Sequence, residues 1–176
     1  LEAPYNKLKD AFKTHFFESP TGRIQEAILE KFIAQKKTLG LAESCTGGSI
    51  AKILTSVPKA SNYLKGSIVS YSNEVKENVL KVKKETLDTH GAVSKETVIE
   101  MAQGALTLLD TDVALSVSGI AGPDGGSKDK PVGTVWACIA FRNGSYFAWQ
   151  FFLKGNREMI IEQTLYETLG VLNSKL

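Results

Sequence analysis

Apolar residues at Ile24, Ile28 and Phe32 recur at helical spacing behind a turn at Ser19, Pro20 and Thr21, and predict a helix packed on one face. A shorter, more charged helix is expected over residues 5–17. The pattern then changes period. Residues 38–42 and 66–71 read as short buried strands, and the apolar stretch from Ile50 to Leu54 between them is of helical type. A second helix is expected from Ser72 or Asn73, either of which can cap it, with Glu74 favoured at its positive end. From Ser94 the positions Val98, Met101, Ala102, Ala105 and Leu109 return to helical spacing, and residues 113–118 form a strand that runs into a glycine-rich loop. Residues 133–141 and 146–153 predict a hairpin around Arg-Asn-Gly-Ser, its first strand apolar on both faces and therefore central. A last helix buries Ile161, Leu165, Thr168, Leu169 and Leu172.

Strand–helix units followed by a hairpin predict a three-layer α/β/α fold: a mixed, mostly parallel central sheet, then a C-terminal β-hairpin and helix. The expected organisation is an N-terminal extension over residues 1–20, largely helical, and one domain over residues 21–176. A chain of 176 residues with 43% hydrophobic and 23% charged side chains can bury a core without disulfide or metal. Charge narrows the partners. The 21 basic and 19 acidic residues are interspersed and leave a net charge of +2, with no basic stripe of the kind a nucleic-acid reader shows. No apolar run approaches the roughly 20 residues of a membrane span, and the first 20 residues are too charged for a signal peptide. Two cysteines, Cys45 and Cys138, without CxxC spacing, suit a reducing compartment. The expectation is a cytoplasmic protein without nucleic-acid or membrane partners. An apolar hairpin face, Tyr146, Ala148, Gln150 and Phe152, suggests a homo-oligomer.

Candidate chemistry starts from a scarcity. His15 and His90 are the only histidines and neither lies in a metal-ligand pattern, so a histidine triad or zinc site has little to work with. His15 reads as a helix-surface residue, and His90, ahead of Gly91, as part of a helix end. The run Ala-Glu-Ser-Cys-Thr-Gly-Gly at 42–48 offers three nucleophiles, Ser44, Cys45 and Thr46, where a strand gives way to a helix. Glycines there let backbone N–H groups converge on an oxyanion or phosphate. The plain alternative is a helix cap beside a small buried cysteine. Without histidine, a serine can be activated by a lysine whose pKa burial lowers from about 10.4. Lys76, expected in the first turn after the 66–71 strand, is a candidate, although most lysines are simply solvated. Tyr71, at that strand's end, could orient the lysine or relay its proton. The 118–126 run, Ser-Gly-Ile-Ala-Gly-Pro-Asp-Gly-Gly, lacks Walker spacing and reads as a loop lining a pocket or as a long surface turn. Arg157, where the last helix begins, offers a cation beside free N–H groups for a phosphate; a solvated arginine fits the local sequence equally well.

Taken in order, AESCTGG at 42–48, GSIVSYSNEVK at 66–76, HGAVS at 90–94, SGIAGPDGG at 118–126 and PVGTVW at 131–136 closely resemble the CinA C-terminal domain family. The resemblance runs from about Thr38 to Leu172. It implies hydrolysis of the carboxamide of nicotinamide mononucleotide to nicotinic acid mononucleotide and ammonia, in pyridine nucleotide salvage, with no metal or organic cofactor. The family's serine, tyrosine and lysine map onto Ser44, Tyr71 and Lys76. Backbone donors around Thr46, Gly47 and Gly48 are the expected oxyanion site. Gly119, Ala121 and Gly122 are expected to wall the nucleotide pocket, and Arg157 to meet the phosphate. Family proteins often carry a further N-terminal domain, and residues 1–37 are too short to be one, so a stand-alone deamidase domain is expected. The competing readings are a Cys45 nucleophile, a nucleotide-binding homologue without turnover, and an amidase for another small carboxamide.

Overall fold

A computed structural model describes Ser19 and residues 21–176. The helix expected over residues 5–17, and His15 with it, lie outside the described residues. Helix α1 (Ile24–Gln35) leads into β1 (Leu39–Glu43), α2 (Ser49–Thr55), a short 3₁₀ turn (Ala60–Asn62) and β2 (Leu64–Val69). Three helices follow, α3 (Asn73–Asn78), α4 (Lys84–His90) and α5 (Lys95–Leu108), then β3 (Val113–Gly119), the hairpin β4 (Thr134–Phe141) and β5 (Tyr146–Phe152), and α6 (Arg157–Lys175).

The strands form one mixed sheet in the order β2-β1-β3-β4-β5. β1 pairs in parallel with β2 and β3, and β4 runs antiparallel to both β3 and β5. Half the pairings are therefore parallel, and β4 is the one strand that opposes the others. Period-two alternation sorts the core into two layers. Leu39 and Leu41 of β1, Val113, Leu115 and Val117 of β3, and Val135, Ala137 and Ile139 of β4 pack against α1, α2 and α6. The intervening residues Ala42, Ala114, Cys138 and Ala140 meet α5 and the segments beside it. Helices thus cover both faces.

Side-chain caps fix several helix starts, Ser72 being the one that caps of the two candidates the sequence offers there. Ser72, Ser94 and Asn156 accept from the N–H groups of Val75, Thr97 and Met159 at 3.2, 3.2 and 2.9 Å. His90 closes α4 and Gly91 follows it at φ +77°. A close backbone approach sets the position of α5: a Cβ on Gly104 would lie 1.9 Å from the Leu80 carbonyl oxygen.

The differences from expectation are local. α4 ends at His90 ahead of Gly91 as expected, but its start carries no signal, because its seven residues have little apolar periodicity beyond Leu87. Strand β2 ends at Val69, so Tyr71 stands past the strand rather than at its end. In α6 the buried phase starts at Ile160, and Ile161 faces a groove beside α2 instead of the core. On β5, Tyr146 and Phe152 are exposed whereas Ala148 packs against the α5 layer. No helix among the described residues is long and apolar enough to cross a membrane.

Candidate active site

Three strands end at one edge of the sheet, and the turns after them bring the chemistry together. β1 ends at Glu43, and Ser44 continues it by donating its N–H to the Val117 carbonyl of β3 at 3.0 Å. The chain then turns sharply: Gly47 donates to the Ser44 carbonyl at 3.1 Å, with Gly47 and Gly48 at φ +59° and +98°. Side chains strain in that region, which accounts for the glycine pair.

The N-terminus of α2 is filled from within. Glu43 is completely buried, and its carboxylate accepts from the N–H groups of Gly48, Ile50 and Ala51 at 3.0, 3.1 and 2.9 Å, and from the hydroxyls of Thr46 and Ser67 at 2.7 and 3.0 Å. α2 has no side-chain cap of the ordinary kind, and this carboxylate takes that place. Of the backbone donors expected around an oxyanion, those of Gly47 and Gly48 are thus engaged inside the turn, and the Thr46 hydroxyl is held there beside them. Sequence reading passed over Glu43. Its signal was an acidic residue directly ahead of a glycine-rich helix start that lacks a capping side chain.

Lys76 reaches Ser44 from the opposite side of β1. Helix α3 points its side chain inward, leaving the residue 1% exposed, with Nζ 3.1 Å from Ser44 Oγ, 2.6 Å from the Ser70 carbonyl oxygen and 3.4 Å from that of Tyr71. Ser70 is itself fixed by donating its N–H to the Glu43 carbonyl at 2.8 Å. Ser44 and the helix that carries Lys76 therefore follow adjacent strands tied at Glu43 and Ser70. Burial pushes the Lys76 ammonium from the usual 10.5 down to about 8. Ser44 is 8% exposed, enough to open on a cavity.

That cavity, about 180 Å³, is lined by Ser44, Cys45, Tyr71, Lys76, Ala92, Val93, Ser118, Gly119, Ala121 and Arg157. Gly119 is packed closely: a Cβ there would lie 2.6 Å from Val135 Cγ2 and 3.1 Å from Cys45 Sγ. Cys45 is buried against it, and burial pushes its thiol up to about 12. Tyr71 is 63% exposed and its hydroxyl accepts from Arg157 Nη2 at 3.0 Å, so its contact with Lys76 runs through its main chain. Arg157 also donates Nη1 to the Gly122 carbonyl at 2.9 Å. Together Tyr71 and Arg157 span the mouth of the cavity. The structure brings Ser44, Lys76, Tyr71, Gly119, Ala121 and Arg157 around one space, with Gly122 behind Arg157 and with Thr46, Gly47 and Gly48 in the turn below. The expectations had omitted Ala92 and Val93 from this wall. Among the described residues, no group of three histidine, cysteine or acidic side chains is placed to hold a metal ion.

Residues 21–176 match the family model for the CinA C-terminal domain. The chain belongs to that family. A nicotinamide-nucleotide amidohydrolase PncC from Shigella flexneri is 42% identical over 155 residues, which cover 88% of this chain and 94% of that protein. A CinA-like protein of Thermosipho melanesiensis is 46% identical over 166 residues, covering 94% of this chain and 41% of the relative. The chain thus spans about two-fifths of the length of the CinA-like relatives it matches. Among solved structures, competence damage-inducible protein A from Klebsiella pneumoniae superposes with a TM-score of 0.84 at 36% identity, over 92% of this chain and 96% of that one. The competence/damage-inducible protein from Agrobacterium tumefaciens gives 0.82 at 37% identity, over 89% and 96%.

Proposed function

We propose that this CinA domain hydrolyses the carboxamide of nicotinamide mononucleotide, releasing ammonia and nicotinic acid mononucleotide in cytoplasmic pyridine nucleotide salvage. The observation that carries the reading is the buried pair Lys76 Nζ and Ser44 Oγ, 3.1 Å apart, with the lysine's pKa drawn down to about 8. The substrate is taken from the PncC relative, which aligns over nearly its whole length.

A neutral lysine amine has two N–H donors and one lone pair. The Ser70 and Tyr71 carbonyls stand on two sides of Nζ to receive the donors, which turns the lone pair to the Ser44 hydroxyl. Lys76 takes that proton as Oγ attacks the carboxamide carbon. The ammonium formed then protonates the departing nitrogen, and ammonia leaves. Water, deprotonated by Lys76 in turn, attacks the acyl-enzyme and releases the acid. A metal or organic cofactor has no part in this sequence.

A cavity of about 180 Å³ suits the nicotinamide end, whereas pockets for whole ligands of drug size run to about 300 Å³ and above. The ribose and phosphate extend past the mouth, where Arg157 supplies the cation. Tyr71 holds Arg157 and, through its carbonyl, the base.

Ammonia release from nicotinamide mononucleotide, measured across a panel of small carboxamides, tests the reading. Turnover should survive chelator and fall at least about 1,000-fold in both Ser44→Ala and Lys76→Ala. Full activity in either variant would overturn the roles. Faster turnover of another amide would move the substrate while keeping the chemistry.

A further inference from the structure

An acyl-transfer site needs hydrogen-bond donors for the oxygen that becomes negative, and in the turn below Ser44 four N–H groups are already engaged: Gly47 on the Ser44 carbonyl, Gly48, Ile50 and Ala51 on Glu43. The opposite wall is built differently. Ala92 and Val93 line the cavity, and every carbonyl from residue 90 to residue 93 is held by a side chain. Lys130 Nζ donates to the His90 and Val93 carbonyls at 2.6 and 2.8 Å. Thr97 Oγ1 donates to the Gly91 carbonyl at 2.8 Å, with Ser94 Oγ 3.0 Å from the same oxygen. Ser118 Oγ donates to the Ala92 carbonyl at 2.7 Å.

Four successive carbonyls tied to side chains fix the peptide planes of this segment. Gly91 donates its own N–H back to Leu87 at 2.9 Å, so what the segment has to offer the cavity is the N–H groups that follow. We infer that the backbone N–H groups of Ala92 and Val93 hold the carboxamide oxygen and the oxyanion derived from it, and that Lys130 is the positioning residue that orients them. The inference rests on the proposed deamidation for its substrate and on the bond pattern for its geometry.

Lys130 stands on the loop between β3 and β4, whose glycine-rich start forms another part of the cavity wall. One ammonium group therefore couples two walls of the site while remaining outside the cavity lining. The Lys130 main chain is anchored in turn: its N–H donates to Ser127 Oγ at 3.0 Å, and its carbonyl accepts from the Ser127 N–H at 2.8 Å.

The test has two arms. In the first, the ¹⁵N-labelled protein is titrated with nicotinic acid mononucleotide, whose carboxylate stands in for the carboxamide oxygen. The Ala92 and Val93 amide protons should move downfield at saturation. Saturation that leaves both amides in place overturns the donor assignment while the substrate reading stands. Failure to bind overturns the substrate reading and takes the assignment with it. In the second arm, Lys130→Met should lower kcat for nicotinamide mononucleotide about 10- to 100-fold with KM within about twofold, because the lost interaction belongs to the transition state. Lys130→Arg should recover part of that loss. If Lys130→Met fails to fold, Ser118→Ala, which among the four carbonyls releases that of Ala92 alone, should give the same kcat-selective loss to a smaller degree. Unchanged kcat in a folded Lys130→Met, or in Ser118→Ala, overturns the clamp.

Discussion

The Ser70 carbonyl oxygen lies 2.6 Å from Lys76 Nζ, closer than the Ser44 hydroxyl at 3.1 Å that the proposed mechanism has the same nitrogen deprotonate. A carbonyl at that distance accepts from the lysine in either protonation state, so it fixes the amine's direction without deciding its charge. Burial decides the charge, by disfavouring the ammonium.

The base must be neutral to act, so kcat/KM should rise with pH and level off above about 8, following the titration of Lys76. A pH–rate profile read as ammonia release checks this. A profile flat from pH 6 to 10 would remove Lys76 as the base.

The same depression affects folding. Between the folded value of about 8 and the usual 10.5, the unfolded chain binds the proton that the folded chain has lost, so stability rises with pH across that window. Below about 8 both states are protonated and the burial penalty on the charge is present in full. The unfolding free energy of the wild type minus that of Lys76→Met should therefore climb by about 3 kcal/mol from pH 8 to 10.5. Urea titrations at several pH values measure it.

Glu43→Gln should be more disruptive than a neutral isostere normally is. The carboxylate accepts five bonds and a carboxamide oxygen far fewer, while the new NH₂ group faces existing donors. A loss of about 2 kcal/mol or more is expected in denaturant unfolding. Faster amide exchange over residues 44–51 should accompany it.

Cys45→Ala should retain most of the activity, at a cost of about 1 kcal/mol in stability for the cavity left behind. Burial keeps this thiol protonated, so iodoacetamide should leave the native enzyme active. Inactivation by Cys45→Ala with Ser44→Ala unaffected would transfer the nucleophile from Ser44 to Cys45.

Much of this architecture was legible in the sequence, for identifiable reasons. Strands β1, β3 and β4 are covered on both faces and read as nearly continuous apolar runs, and the starts of α3 and α5 carry capping serines. Ser44 and Lys76 were found through the scarcity of histidine together with the ordered motifs. What escaped depends on contacts between distant segments. Glu43 looks like a strand-end acid until the donors of α2 and Ser67 are seen to converge on it. Lys130 is one of many surface-like lysines until its loop folds back onto residues 90–93. Helix α4 is short and mostly polar, so periodicity could not find its start, although His90 before Gly91 marks its end. The shift from Ile161 to Ile160 in α6 is one residue, the error to which phase arguments are most prone.

The two oxygens that aim Lys76 belong to the main chain of Ser70 and Tyr71, not to their side chains. In the proposed mechanism the aiming of Lys76 is therefore independent of which side chain stands at position 71, so exchanging the tyrosine ring and its arginine partner should alter which amide is admitted while leaving proton transfer intact. On that mechanism substrate range and reaction chemistry are separable, and the mouth of the cavity is where a redesign for new amides should begin.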